Sequence, residues 1–135
     1  PRGGDELNLI EPGKNYGWGV VTMGLEPGIW RQYAAGMTPP ITFYNPSIGP
    51  SGITFYTGDK FPGWKNDLFV TGMVGQRLIR MRIDGRKIAS QEILFQGYGR
   101  VRDVRTGPDG NLYALLQNQN GDPTGGSIIR LVPAP

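Results

Sequence analysis

Two arginines, Arg100 and Arg102, stand two residues apart in the segment Arg100-Val101-Arg102-Asp103-Val104-Arg105. In an extended strand, residues i and i+2 project from one face, so both guanidinium groups can reach one ligand. A guanidinium is planar, permanently charged and forked, which suits a carboxylate. The spacing therefore fits a small anionic ligand. The plainer reading is a pair of solvated charges, or a pair bridged to the adjacent Asp103. Asp5 and Glu6 form an acidic pair whose ordinary role is a solvated surface. The chain has no histidine and no cysteine. Disulfides, thiolate metal sites and cysteine nucleophiles are therefore excluded, and the commonest general base near neutral pH is missing from these residues. Catalysis by this chain alone would need a carboxylate, a lysine or a tyrosine.

Composition bounds what can position such residues. A length of 135 residues allows one modest core. With 38% hydrophobic and 19% charged residues, the chain is neither a disordered polyampholyte nor a membrane protein. No apolar run approaches the roughly 20 residues that span a bilayer. The net charge of +3, with no long basic run, argues against a nucleic-acid partner. The 22 glycines and 12 prolines punctuate short apolar segments, as they do in all-β proteins. The chain opens at Pro1 inside what reads as a motif, Pro1-Arg2-Gly3-Gly4-Asp5-Glu6-Leu7, and is expected to be a piece of a longer protein.

Alternation and turn chemistry predict strands over 5–10, 41–44, 52–56, 67–71, 76–83, 87–95, 100–105, 111–116 and 127–132. Asp84-Gly85 is expected to form a hairpin turn, since both residue types tolerate positive φ. Gly107-Pro108-Asp109-Gly110 carries the proline and glycine preferences of a type I turn. Residues 19–38 read as an irregular excursion carrying Trp30 and Tyr33, and no segment keeps a helical period.

Two stretches repeat. Residues 62–70 (PGWKNDLFV) resemble 108–114 (PDGNLYA), so that Leu68 matches Leu112, and Leu78-Ile79-Arg80 resembles Ile128-Ile129-Arg130. The added length falls in the polar, glycine-rich loop 118–126. A repeat of forty-odd residues with about four short strands matches β-propeller blades. A β-sandwich also shows short strands separated by turns.

Three motifs carry a resemblance. They are Asp5-Glu6-Leu7-Asn8-Leu9-Ile10 with Asn15-Tyr16-Gly17-Trp18; Asn45-Pro46-Ser47-Ile48-Gly49-Pro50-Ser51-Gly52; and Gly99-Arg100-Val101-Arg102-Asp103-Val104 with Gly107-Pro108-Asp109-Gly110-Asn111-Leu112-Tyr113. Together they resemble the soluble glucose and aldose sugar dehydrogenases (the glucose/sorbosone dehydrogenase family) that use pyrroloquinoline quinone (PQQ). The order of the motifs matches and they cover nearly the whole chain. The resemblance implies an all-β fold, a six-bladed propeller of four-stranded antiparallel blades, of which this chain is the C-terminal part. Residues 1–50 would be a partial blade with the excursion, 51–98 one blade-like repeat and 99–135 the last.

The resemblance also implies an activity: oxidation of an aldose at its anomeric carbon to a lactone. A hydride passes to PQQ, a histidine takes the hydroxyl proton, and an external acceptor receives the electrons. That histidine would belong to the missing N-terminal portion, so the fragment alone is expected to be inactive. Arg100 and Arg102 would contact the three carboxylates of PQQ. Ser47 would lie near the cofactor, where its hydroxyl could donate a hydrogen bond; otherwise it is a turn residue. Calcium would be held by the Glu6 carboxylate and the Tyr16 carbonyl, hard oxygen ligands that suit it. Pro1 would contribute a carbonyl to a second calcium that touches PQQ. Where several relatives place a lysine against the quinone, this chain has Val74. The location implied is periplasmic or secreted.

Other expectations follow from the residues. Trp18, Trp30 and Trp64 are expected to pack within blades. A propeller that binds a ligand or a protein partner without redox chemistry is the alternative function. The exposed blade edges of a fragment are expected to self-associate.

Overall fold

Short apolar segments bounded by glycine, proline and polar turns form nine β-strands in the computed structural model, which describes residues 2–117 and 125–134. Pro1, residues 118–124 (most of the polar loop) and Pro135 lie outside the described residues. The strands are β1 (Asp5–Leu7), β2 (Thr42–Tyr44), β3 (Pro50–Phe55), β4 (Leu68–Gly72), β5 (Arg77–Asp84), β6 (Lys87–Gln96), β7 (Arg100–Thr106), β8 (Leu112–Gln117) and β9 (Gly126–Leu131). Each falls on a segment where alternation predicted a strand. Among the described residues there is no helix long and apolar enough to cross a membrane.

The chain divides into two compact units, residues 1–48 and 49–135. In the first, β1 pairs antiparallel with β2, Leu7 opposite Thr42 and Asp5 opposite Tyr44. The long connection is irregular, with one isolated bridge between Asn15 and Met37.

The second unit contains a four-stranded antiparallel sheet in the order β3-β4-β5-β6 and a three-stranded sheet in the order β7-β8-β9. The two sheets repeat each other residue by residue. Leu68 faces Met81 and Val70 faces Ile79; in the second sheet Leu112 faces Leu131 and Ala114 faces Ile129. The inner strands repeat as well, since β3 slips register between Pro50 and Ile53 and β7 slips between Val101 and Asp103. Each slip adds one unpaired residue, a β-bulge, at the same place in the sheet. These meanders are the blade pattern that the repeat predicted.

Burial follows from this stacking. Every residue of β4 is buried, because the strand is flanked on both sides and covered on both faces. Tyr56, Phe69, Leu78, Val104 and Leu112 form one fully buried cluster drawn from both sheets. Phe61 stacks on Trp64, with ring centroids 4.4 Å apart, and Arg80 lies over the Trp64 ring. Arg80 also pairs with the buried Asp67 (Nη2 to Oδ2, 2.6 Å) and with Glu92 (Nη1 to Oε1, 2.6 Å), so the charge buried in the sheet is balanced. Two expectations need correction. The β5–β6 hairpin turns on Gly85-Arg86, with Asp84 already opposite Lys87; only the first central residue, Gly85 (φ +59°), has positive φ, as in a type II′ turn. Trp64 packs as expected, but Trp18 and Trp30 are 99% and 90% exposed, because they sit in the irregular connection between β1 and β2, outside any sheet.

Candidate functional site

The strand β7 carries the arginine pair. Its burial alternates from Arg100 to Arg102, with Val101 fully buried and the two arginines exposed, so both guanidinium groups lie on the open face. The adjacent carboxylate serves neither of them. Asp103 Oδ1 accepts from the Val104 amide (2.9 Å) and lies 3.1 Å from Arg105 Nη1. Arg105 also donates to the Ile53 and Val104 carbonyls. Among the described residues the Arg100 side chain has no hydrogen-bond or ion-pair partner. Arg102 meets only a soft acceptor, with Nη1 2.8 Å from Met73 Sδ. Two permanent cations on one strand face are thus left without a carboxylate, which disposes of the reading in which Asp103 bridges them.

Met73 belongs to the turn between β4 and β5, which also holds Val74. The Met73 amide donates to the Gly49 carbonyl (2.8 Å). Gly49 has φ +60°, and a Cβ there would fall 2.9 Å from Val74 Cγ2, so glycine is required for the close approach. Val74 itself is exposed beside the residue that touches Arg102.

The other predicted site residues lie in the first unit. The side chain of Asn15 accepts from the Gly17 amide (2.9 Å), a turn that fixes Tyr16 between them. The Tyr16 hydroxyl donates to the Leu9 carbonyl (2.7 Å) and accepts from the Glu11 amide (2.7 Å), tying the two halves of the first motif together. Glu6 and Tyr16 line one cavity of about 500 Å3 together with Asn15, Trp18 and Glu26. Asn8 was not among the residues the sequence singled out. Its Nδ2 donates to Glu6 Oε2 (3.0 Å), while its Oδ1 is buried with no partner. Reversing the amide would set oxygen against the Glu6 carboxylate, so the orphan is the oxygen. The readable signal was the i, i+2 spacing of Glu6 and Asn8. Among the described residues no three acidic, histidine or cysteine side chains gather as a metal cluster. A cation in this cavity would draw on carboxylate and backbone carbonyl oxygens, hard donors that calcium accepts.

Ser47 is held by Asp5 of the first motif. Its Oγ donates to Asp5 Oδ2 (2.8 Å), which also accepts from the Ile48 amide (2.8 Å). The hydroxyl proton thus points at Asp5. Pro1 lies outside the described residues. The structure therefore groups Glu6 with Tyr16 in one unit, and Arg100 with Arg102 beside Val74 in the other.

Comparison with known proteins agrees with the motifs. The family model for glucose/sorbosone dehydrogenase matches residues 1–130. The aldose sugar dehydrogenase YliI of Escherichia coli K12 is 39% identical over 129 residues, covering 90% of this chain and 35% of that protein. A solved glucose dehydrogenase superposes with a TM-score of 0.87 at 38% identity, over 99% of this chain and 38% of the other. The aldose sugar dehydrogenase of Streptomyces coelicolor, solved in its PQQ-bound form, superposes with a TM-score of 0.64 at 30% identity, over 94% of this chain and 35% of the other. The chain spans about a third of the length of the curated relatives it matches.

Proposed function

This chain belongs to the glucose/sorbosone dehydrogenase family, and from that premise we propose that it is the C-terminal part of a PQQ-dependent propeller enzyme that oxidises aldose sugars to lactones. The observation that carries this reading is the pairing of Asp103 with Arg105, which leaves Arg100 and Arg102 on one strand face with no carboxylate of their own. Such a pair matches a cofactor with several carboxylates. Residues 51–98 and 99–135 are read as consecutive blades, and 1–50 as a partial blade with an excursion. The proposed location is periplasmic or secreted.

PQQ, when bound, would supply the hydride acceptor for the anomeric carbon. The chain's own residues would bind and orient. Arg100 and Arg102 would neutralise and align cofactor carboxylates. Ser47, held by Asp5, would lie near the cofactor and offer it a hydroxyl. Glu6 and the Tyr16 carbonyl would hold calcium. Pro1 would add a carbonyl to a second calcium. The proton of the anomeric hydroxyl would pass to a base elsewhere in the parent protein, since these 135 residues hold no histidine.

The test is titration of the full-length parent with PQQ in calcium, then dye-linked oxidation of aldoses, beside an Arg100→Ala, Arg102→Ala double variant. Saturable PQQ binding, aldose-dependent dye reduction and loss of cofactor affinity in the variant are expected. A folded parent that binds no PQQ would overturn the reading and leave a propeller that binds some other ligand or partner.

A further inference from the structure

The strand that carries the arginines is not straight. Its register slips between Val101 and Asp103, which makes Arg102 the extra residue of a β-bulge. A bulge re-aims a side chain, but its unpaired backbone needs other partners. Here the partners come from the neighbouring sheet. Ser51 Oγ donates to the Val101 carbonyl (2.8 Å), the oxygen of the peptide bond that joins Val101 to Arg102. Ser51 Oγ also lies 3.0 Å from Thr71 Oγ1. Thr71 is fully buried, and its Oγ1 accepts from the Gly52 amide (2.7 Å) within the matching bulge of β3. A Cβ on Gly52 would fall 2.5 Å from Asp103 Oδ1 and 2.9 Å from its Cα, so only glycine lets the two bulges meet.

The peptide between the arginines is therefore gripped twice, by its carbonyl on Ser51 and by the fully buried Val101 side chain packed with Ala114 and Leu116. Nothing equivalent holds the guanidinium groups, apart from the contact of Arg102 with Met73. The backbone is fixed while the charged ends remain available, which is the arrangement a preformed anion site needs.

We propose that Ser51 and Thr71 are positioning residues for cofactor binding: their hydroxyls lock the β7 bulge so that Arg100 and Arg102 address the same ligand. The proposal rests on the PQQ reading above. A serine and a threonine that merely satisfy bulge backbone would affect stability alone.

The experiment compares full-length parent protein with its Ser51→Ala, Ser51→Thr, Thr71→Val and Arg100→Ala variants. PQQ dissociation constants are measured by absorbance titration in calcium at low and high salt, and the apo proteins are melted in parallel. Ser51→Ala is expected to weaken PQQ by about tenfold, the loss of roughly one charge-assisted hydrogen bond. Its salt dependence should become shallower, as one guanidinium no longer reaches the ligand. Ser51→Thr, which keeps the hydroxyl, should restore both. Thr71→Val should follow Ser51→Ala if it folds; Ser51, at the edge of the network, carries the test if it does not. Unchanged affinity and salt dependence in a folded Ser51→Ala protein, with Arg100→Ala still impaired, overturns the positioning role and leaves the PQQ reading standing. No PQQ binding by the unmutated parent overturns both.

Discussion

Asp103 lies 3.1 Å from Arg105 and makes no ion pair with Arg102, its immediate neighbour in sequence. Arg102 is the extra residue of the bulge, while Asp103, the first residue paired beyond it, meets Arg105 two residues further along the strand. A carboxylate that would otherwise compete with an anionic ligand is thereby kept engaged.

Val74 stands at the β4–β5 turn, exposed and next to Met73, which touches Arg102. Val74→Lys would bring a third cation to this edge without displacing any core group. The parent carrying it is expected to bind PQQ about three- to tenfold more tightly at low salt, with the gain shrinking as salt rises. Titration at two ionic strengths checks this; unchanged affinity at low salt would mean that Val74 does not face the cofactor.

Tyr56 staples the two sheets of the second unit. Its buried hydroxyl donates to the Gly110 carbonyl (2.7 Å) and accepts from the amides of Lys60 (2.9 Å) and Phe61 (3.3 Å). Tyr56→Phe keeps the ring and takes this partner from the Gly110 carbonyl and from the Lys60 and Phe61 amides, so it should cost about 1–3 kcal/mol. Urea unfolding of the parent measures it, and a midpoint equal to that of the unmutated protein would refute the staple.

Asp109 is held well below its ordinary pKa of 3.8, at about 2. The Asn111 side chain is the main cause, followed by the Tyr113 hydroxyl and the Asn111 amide. A folded-state pKa that is depressed adds stability above the unfolded value, and that stability is lost as pH falls from about 4 through about 2. Asp109→Asn should therefore flatten part of the acid limb of a stability-versus-pH curve in that window, with no change in slope near neutrality. Melting curves across the acid range decide it.

The outer strands β6 and β9 present edges that no described strand covers, and Ile93 and Ile128 are exposed on them. Open edges with apolar side chains pair with other chains. The 135-residue chain by itself is expected to sediment as concentration-dependent oligomers. A single monomer species over a hundredfold range of concentration would count against this.

Local chemistry was legible in the residues. Alternation and turn types marked all nine strands, and the match of Leu68 to Leu112 and of Ile79 to Ile129 reappears as equivalent cross-strand partners in two sheets. The arginine pair was legible too, because two-residue spacing survives folding as a shared face. What the tertiary structure decided is who meets whom. The partner of Asp103, the grip of Ser51 on Val101, the orphaned Asn8 oxygen and the pairing of β1 with β2 all depend on where distant backbone segments and bulges come to rest. Periodicity follows from the geometry of one strand, whereas a hydrogen-bond partner is selected by distance and direction among several groups that sequence alone leaves equally eligible.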